Sequence, residues 1–122
     1  MTASILTVDD SASVRMAIRI ALSGAGYAVT EAGDGAEGLA ALKGGRFDMV
    51  VTDLNMSRMD GLTMIRELRS LPGCAGIPVI FVTTESDDGM KAQAKAAGAT
   101  GWLVKPFQPD QIVRVAKKVL GR

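Results

Sequence analysis

The sequence predicts an α/β fold: one five-stranded parallel sheet with five helices covering both faces. Three observations predict it. Five short apolar runs alternate strictly with five stretches of helical character, the pattern of repeated strand-crossover-strand units. Right-handed crossovers then leave few topologies. Four of the apolar runs also stop abruptly on a polar residue.

In order, Ile5 to Val8 reads as the first strand. A helix from Ser13 to Ala25 follows, with Val14, Ala17, Ile18, Ala21 and Leu22 along one face. Ser11 or Ser13 can cap its start, and Gly24 and Gly26 end it. Tyr27 to Thr30 is a weaker second strand. Asp34 caps a helix from Gly35 to Leu42, stopped by Gly44-Gly45. Asp48 to Thr52 is the third strand. Asp60 caps a helix from Gly61 to Leu71, stopped by Pro72-Gly73. Pro78 to Val82 is the fourth strand. A helix from Asp87 to Ala97 ends at Gly98. Gly101 to Val104 is the fifth strand, and Pro109 to Leu120 the last helix. No repeat or linker interrupts the pattern, and the expectation is one domain over residues 1–122 with no output domain attached.

The chain has 122 residues, a net charge of +1 and one cysteine. That charge implies no pull on nucleic acid or an anionic membrane. No apolar run approaches the ~20 residues that span a bilayer. A lone Cys74 and no signal peptide fit a cytoplasmic protein. Histidine is absent, which excludes Ser-His-Asp and Cys-His catalysis and an ordinary zinc site.

Chemistry must therefore come from carboxylates, hydroxyls, lysine or an oxygen-bound metal. In open parallel sheets, ligands bind beyond the carboxyl ends of the strands. There the chain sets Asp9-Asp10, Asp53, Thr83-Thr84 and Lys105. Close carboxylates repel one another, and a divalent cation relieves that repulsion. An all-oxygen donor set selects a hard ion, Mg²⁺ before Zn²⁺. Lys105 and Thr83 add a positive charge and a donor, which suit a phosphoryl group. A carboxylate can act as nucleophile and form an acyl phosphate. The pattern reads as a site where Asp53 accepts a phosphoryl group.

Five motifs in order carry a family resemblance: "VDDS" at Val8 to Ser11, "TDLNM" at Thr52 to Met56, "MDG" at Met59 to Gly61, "VTTE" at Val82 to Glu85, and "KPF" at Lys105 to Phe107. Over its whole length the chain resembles the receiver domains of response regulators, most of all CheY-like single-domain chemotaxis regulators. The resemblance implies the strand order 2-1-3-4-5 that flavodoxin and CheY share. It implies a phosphodonor histidine on a kinase or a histidine phosphotransfer domain. Asp53 matches the acceptor. Asp10, Asp53 and the backbone carbonyl of Asn55 match the Mg²⁺ ligands, with Asp9 acting through water. Thr83 and Lys105 match the residues that grip the phosphoryl oxygens. Asn55 and Glu85 match the positions that tune dephosphorylation, and Trp102 the aromatic of the switch. Lys105-Pro106 matches a peptide bond that is typically cis in the family.

Two positions depart from the pattern. Ser57 stands where the family has proline, and Trp102 where it has tyrosine or phenylalanine. Arg15, Met16, Arg19 and Ile20 lie off the first helix's apolar stripe and fit a docking patch for the phosphodonor. The fourth helix, fifth strand and fifth helix, with Arg114, Lys117 and Lys118, match the surface offered to a target such as a flagellar motor switch. The expectation is a monomer that acts on nothing but its own Asp53. Within that class a messenger, a phosphate sink and a relay shuttle share these features. A Mg²⁺-dependent aspartyl phosphatase would place its nucleophile in a DxD motif after the first strand, and a flavodoxin-like carrier would need a Ser, Thr and Gly-rich first loop. The adjacent pair Asp9-Asp10 fits neither.

Overall fold

A computed structural model describes residues 2–56, 58–84 and 87–121. Ten elements alternate: β1 (Ser4–Val8), α1 (Ala12–Gly24), β2 (Ala28–Ala32), α2 (Gly35–Gly44), β3 (Met49–Thr52), α3 (Gly61–Leu68), β4 (Val79–Thr83), α4 (Asp88–Ala96), β5 (Gly101–Val104) and α5 (Pro109–Leu120). All strand pairs are parallel, in the order β2-β1-β3-β4-β5.

The period of two along each strand sorts the core into two layers. Leu6, Val8, Val50, Val79 and Phe81 point to one face, where they meet Leu39 and Leu42 of α2, Met64, Ile65 and Leu68 of α3, and Ala94 of α4. Ile5, Met49, Val51, Ile80 and Val82 point to the other and meet Ile18 and Leu22 of α1 and Ile112 and Ala116 of α5. Every residue of β3 is buried, so this central strand must be apolar until it reaches the sheet edge. In α4 Ala94 is the one buried residue, which leaves this helix lightly held.

Several boundaries differ from the sequence reading. β2 begins at Ala28 and continues to Ala32. The Tyr27 amide instead closes the α1 turn on the Leu22 carbonyl, 3.1 Å away. Glu31, one residue past the strand read from the sequence, lies in an exposed edge strand and pairs with Arg15 and Arg19. Asp48 precedes β3, and its carboxylate accepts the Ser4 amide at 2.8 Å. β4 starts at Val79 and runs on through Thr83. α1 starts at Ala12, with Ser11 as its cap through the Val14 amide, and α2 runs two residues further, to Gly44. Asp87 caps α4 instead of lying inside it.

α3 ends at Leu68, three residues before the expected Leu71, with Arg69 as its cap, still in helical backbone conformation. Its guanidinium donates to the carbonyls of Cys74 (3.1 Å), Ile77 (2.6 Å) and Gly98 (2.6 Å). One side chain thus ties the α3–β4 connection to the turn after α4. Both lie at the amino-terminal edge of the sheet.

Candidate phosphoryl-acceptor site

The opposite edge carries the polar strand ends. Hydrogen bonding between neighbouring strands continues one residue past their ends: the Asp9 amide bonds the Ala32 carbonyl, Asp53 bonds Val8, and Lys105 bonds Thr83, at 3.1, 3.0 and 2.8 Å. Three functional residues are therefore fixed by sheet register, not by loop conformation. Asp9, Asp53 and Thr83 are buried.

The Lys105 Nζ stands 2.9 Å from Asp9 Oδ2 and 3.1 Å from Asp53 Oδ2. Burial alone would lower the pKa of this ammonium. Its hydrogen bonds to Asp9 and Asp53 and the attraction of their charges outweigh burial and hold it above the ordinary lysine value. The second oxygens are also engaged: Asp9 Oδ1 accepts the Ser11 amide at 2.9 Å, and Asp53 Oδ1 the Leu54 amide at 2.7 Å. The Lys105-Pro106 bond is cis, as the resemblance implied.

Asp10 is exposed beside this pair. Carboxylate oxygens of Asp9, Asp10 and Asp53 lie within 4.8 Å of one another. Three carboxylates against one ammonium leave two net negative charges, which a hard divalent cation matches in charge and in ligand preference. The donor set thus fits the Mg²⁺ expected from the sequence. Asn55 is exposed in the loop after β3. Glu85 and Ser57 lie outside the described residues.

Trp102 is partly buried and packs on Phe81 with ring centroids 5.7 Å apart at 49°. The pair is in register across β4 and β5, two residues before Thr83 on one strand and three before Lys105 on the other. Its indole also lines a cavity of about 310 Å³ with Lys91, Ala94, Lys95 and Ala99. On α1, Met16 and Ile20 are exposed. Ala17, assigned to the buried stripe, is exposed. It lines a cavity of about 450 Å³ that reaches Lys105, with Ser13, Val14, Phe107 and Pro109.

Arg15, which helical periodicity places on the surface, is mostly covered, donates to the Asp9 carbonyl and pairs with Glu31 at 3.3 Å. Arg58, which no sequence motif marks, pairs its guanidinium with the buried Asp34. Helical periodicity places Arg15 off the apolar stripe but does not reveal what stands beyond it.

A doubly wound sheet of order 2-1-3-4-5, with carboxylates, a threonine and a lysine converging at its carboxyl edge, is the build of a receiver domain. Residues 5–117 match the response regulator receiver domain family, and the chain belongs to it. It is similar to Chemotaxis protein CheY of Pseudomonas aeruginosa, at 36% identity over 119 residues, covering 97% of this chain and 96% of that one. The solved structure of CheY4 from Vibrio cholerae superposes with a TM-score of 0.94 at 39% identity, over 98% of this chain and 99% of that chain. The receiver domain of a Pseudomonas aeruginosa sensor histidine kinase, described with a magnesium ion coordinated in its active-site cleft, matches over 100% of both chains with a TM-score of 0.91 at 26% identity. This company is consistent with two-component signalling and chemotaxis. No helix among the described residues is long and apolar enough to cross a membrane.

Proposed function

We propose that the chain is a phosphorylation-activated switch of two-component signalling. Asp53 takes a phosphoryl group from a phosphohistidine on a kinase or phosphotransfer domain, and the changed surface then binds a target. The carrying observation is the Lys105 ammonium bridging Asp9 and Asp53 at 2.9 and 3.1 Å. It puts a positive charge beside the one carboxylate that ends the central buried strand.

In the transfer, the phosphorus–nitrogen bond of the donor imidazole breaks and a bond from an Asp53 carboxylate oxygen forms. Asp10, Asp53 and the Asn55 carbonyl would hold Mg²⁺, with Asp9 beside them. When bound, the ion supplies positive charge to the phosphoryl oxygens as they transfer. Lys105 lies within reach of the same oxygens and so holds charge in place without reorganisation. Thr83, buried at the end of β4, offers a hydroxyl donor to the product. Its strand neighbour β5 carries Trp102, so a shift of Thr83 toward the phosphoryl group is transmitted to the Phe81–Trp102 pair.

The apolar cavity beside Lys105, with Met16 and Ile20 nearby on α1, suits the helix that bears the donor histidine. The surface of α4, β5 and α5 suits the target; likeness to chemotaxis regulators makes a flagellar motor switch the first candidate. The protein works as a cytoplasmic monomer and turns over nothing beyond its own Asp53. Acetyl phosphate with Mg²⁺ should label wild type once, at Asp53 by mass spectrometry, and leave Asp53→Asn unlabelled. Stoichiometric label elsewhere in wild type, or undiminished label in the variant, would defeat the reading.

A further inference from the structure

Among the described residues, Arg58 is the one non-glycine with a positive φ, +67°. A side chain there meets its own backbone, so the conformation persists only if something holds it. Arg58 Nε stands 3.1 Å from Asp34 Oδ2. Asp34 is buried, and its other oxygen caps α2 through the Glu37 amide at 2.8 Å. The next residue, Met59, is seated on the same helix start: a Cβ on Gly35 would stand 2.7 Å from the Met59 carbonyl oxygen and 2.8 Å from its Cβ. Closer to the site, the Gly61 amide bonds the Leu54 carbonyl at 2.8 Å. Asn55 lies between these two anchorages.

We propose that Arg58 is a positioning residue for the metal site. Its ion pair with Asp34 holds residues 58–59 against α2 and so limits the movement of Asn55, whose carbonyl would reach the ion. This rests on the Mg²⁺ reading above.

Charge alone makes the opposite prediction. Removing a cation near an acidic cluster strengthens its attraction for a dication. If Arg58 acts by position, removal must instead weaken binding. Mg²⁺ titration by calorimetry, on wild type, Arg58→Ala and Arg58→Lys, separates the two. Arg58 is largely exposed, so the expected result is a modest one: a Kd raised about twofold to fivefold in Arg58→Ala, with most of the affinity restored in Arg58→Lys. Amide exchange in EDTA, followed by NMR, should show faster exchange at Gly61 in Arg58→Ala, and its spectrum reports whether the variant is folded. An unchanged or lower Kd in Arg58→Ala overturns the proposal and leaves the Mg²⁺ reading intact. A wild type that does not bind Mg²⁺ overturns both.

Discussion

Gly61→Ala should destabilise this protein, although glycine to alanine in a helix ordinarily does the reverse. Gly61 opens α3 where the helix crosses the end of β3. A Cβ built there runs into the Asp53 carbonyl oxygen, stands 2.6 Å from the Phe81 ring and 3.1 Å from the Leu54 Cα. Two of these neighbours are backbone and cannot rotate away. Overpacking of this kind costs about 1–3 kcal/mol. The stiffer unfolded chain returns about 0.4–1 kcal/mol, so the net loss is about 1–2 kcal/mol. With a urea slope of about 2 kcal/mol per molar, the unfolding midpoint falls by about 0.5–1 M. Gly24 is the internal control. It lies in α1 with nothing within 4 Å of its built Cβ, so Gly24→Ala should raise the midpoint. Because Phe81 packs on Trp102, Gly61→Ala should also alter the near-ultraviolet dichroism of the indole. A Gly61→Ala midpoint equal to or above wild type would refute the reasoning, as the close approach would then be one the fold relaxes freely.

Lys105→Met should lower the stability of the metal-free protein at pH 7 by about 1–3 kcal/mol, because the Oδ2 atoms of two buried carboxylates lose their charged partner; saturating Mg²⁺ should narrow the gap, read by urea unfolding with and without EDTA. The same pair fixes a pH dependence: the folded-state pKa of Lys105 is raised above 10.5, so its contribution is full below that value and is lost as pH rises through the folded pKa. The stability difference between wild type and Lys105→Met should therefore be flat from pH 8 to 10 and shrink beyond 10.5, and a difference that grows there would contradict the sign. Trp102 emission should shift to the blue on adding beryllofluoride to the Mg²⁺-bound protein, with most of that shift lost in Thr83→Ala; identical emission and acrylamide quenching in the two states would make the indole a packing residue only.

The sheet and the strand-end residues were legible because both depend on chain-local signals. Met49 to Val51 are apolar because β3 is covered on both faces, and Asp53 marks where that cover ends. The caps Ser11, Asp34 and Asp60 were legible for the same reason, each serving an amide three residues on. What was not legible depends on a partner remote in sequence. Glu31 falls just past the strand read from the sequence until Arg15 and Arg19 are seen beside it, and Arg58 is merely a basic residue until Asp34 stands opposite. Arg69 follows α3 as one more basic residue, yet it binds carbonyls as many as 29 residues away, which no window of helical periodicity contains. The cluster at the carboxyl edge lay between these extremes: each member is local, but their convergence follows only from the parallel topology.

The two edges of the sheet are fastened by different chemistry. At the amino-terminal edge, Arg69 binds three backbone carbonyls, and neither a guanidinium nor a carbonyl changes charge in any reaction proposed for this protein. At the carboxyl edge, the fastening is an ammonium between two carboxylates, one of which is the group to be modified. The first clasp is permanent and the second can be reset. Because Arg69 holds the carbonyl of Gly98, directly after α4, that helix is fixed at its last turn and lightly packed along its length. Any displacement that starts at Thr83 would then swing α4 like a lever about its carboxyl end, with the largest excursion near Asp87.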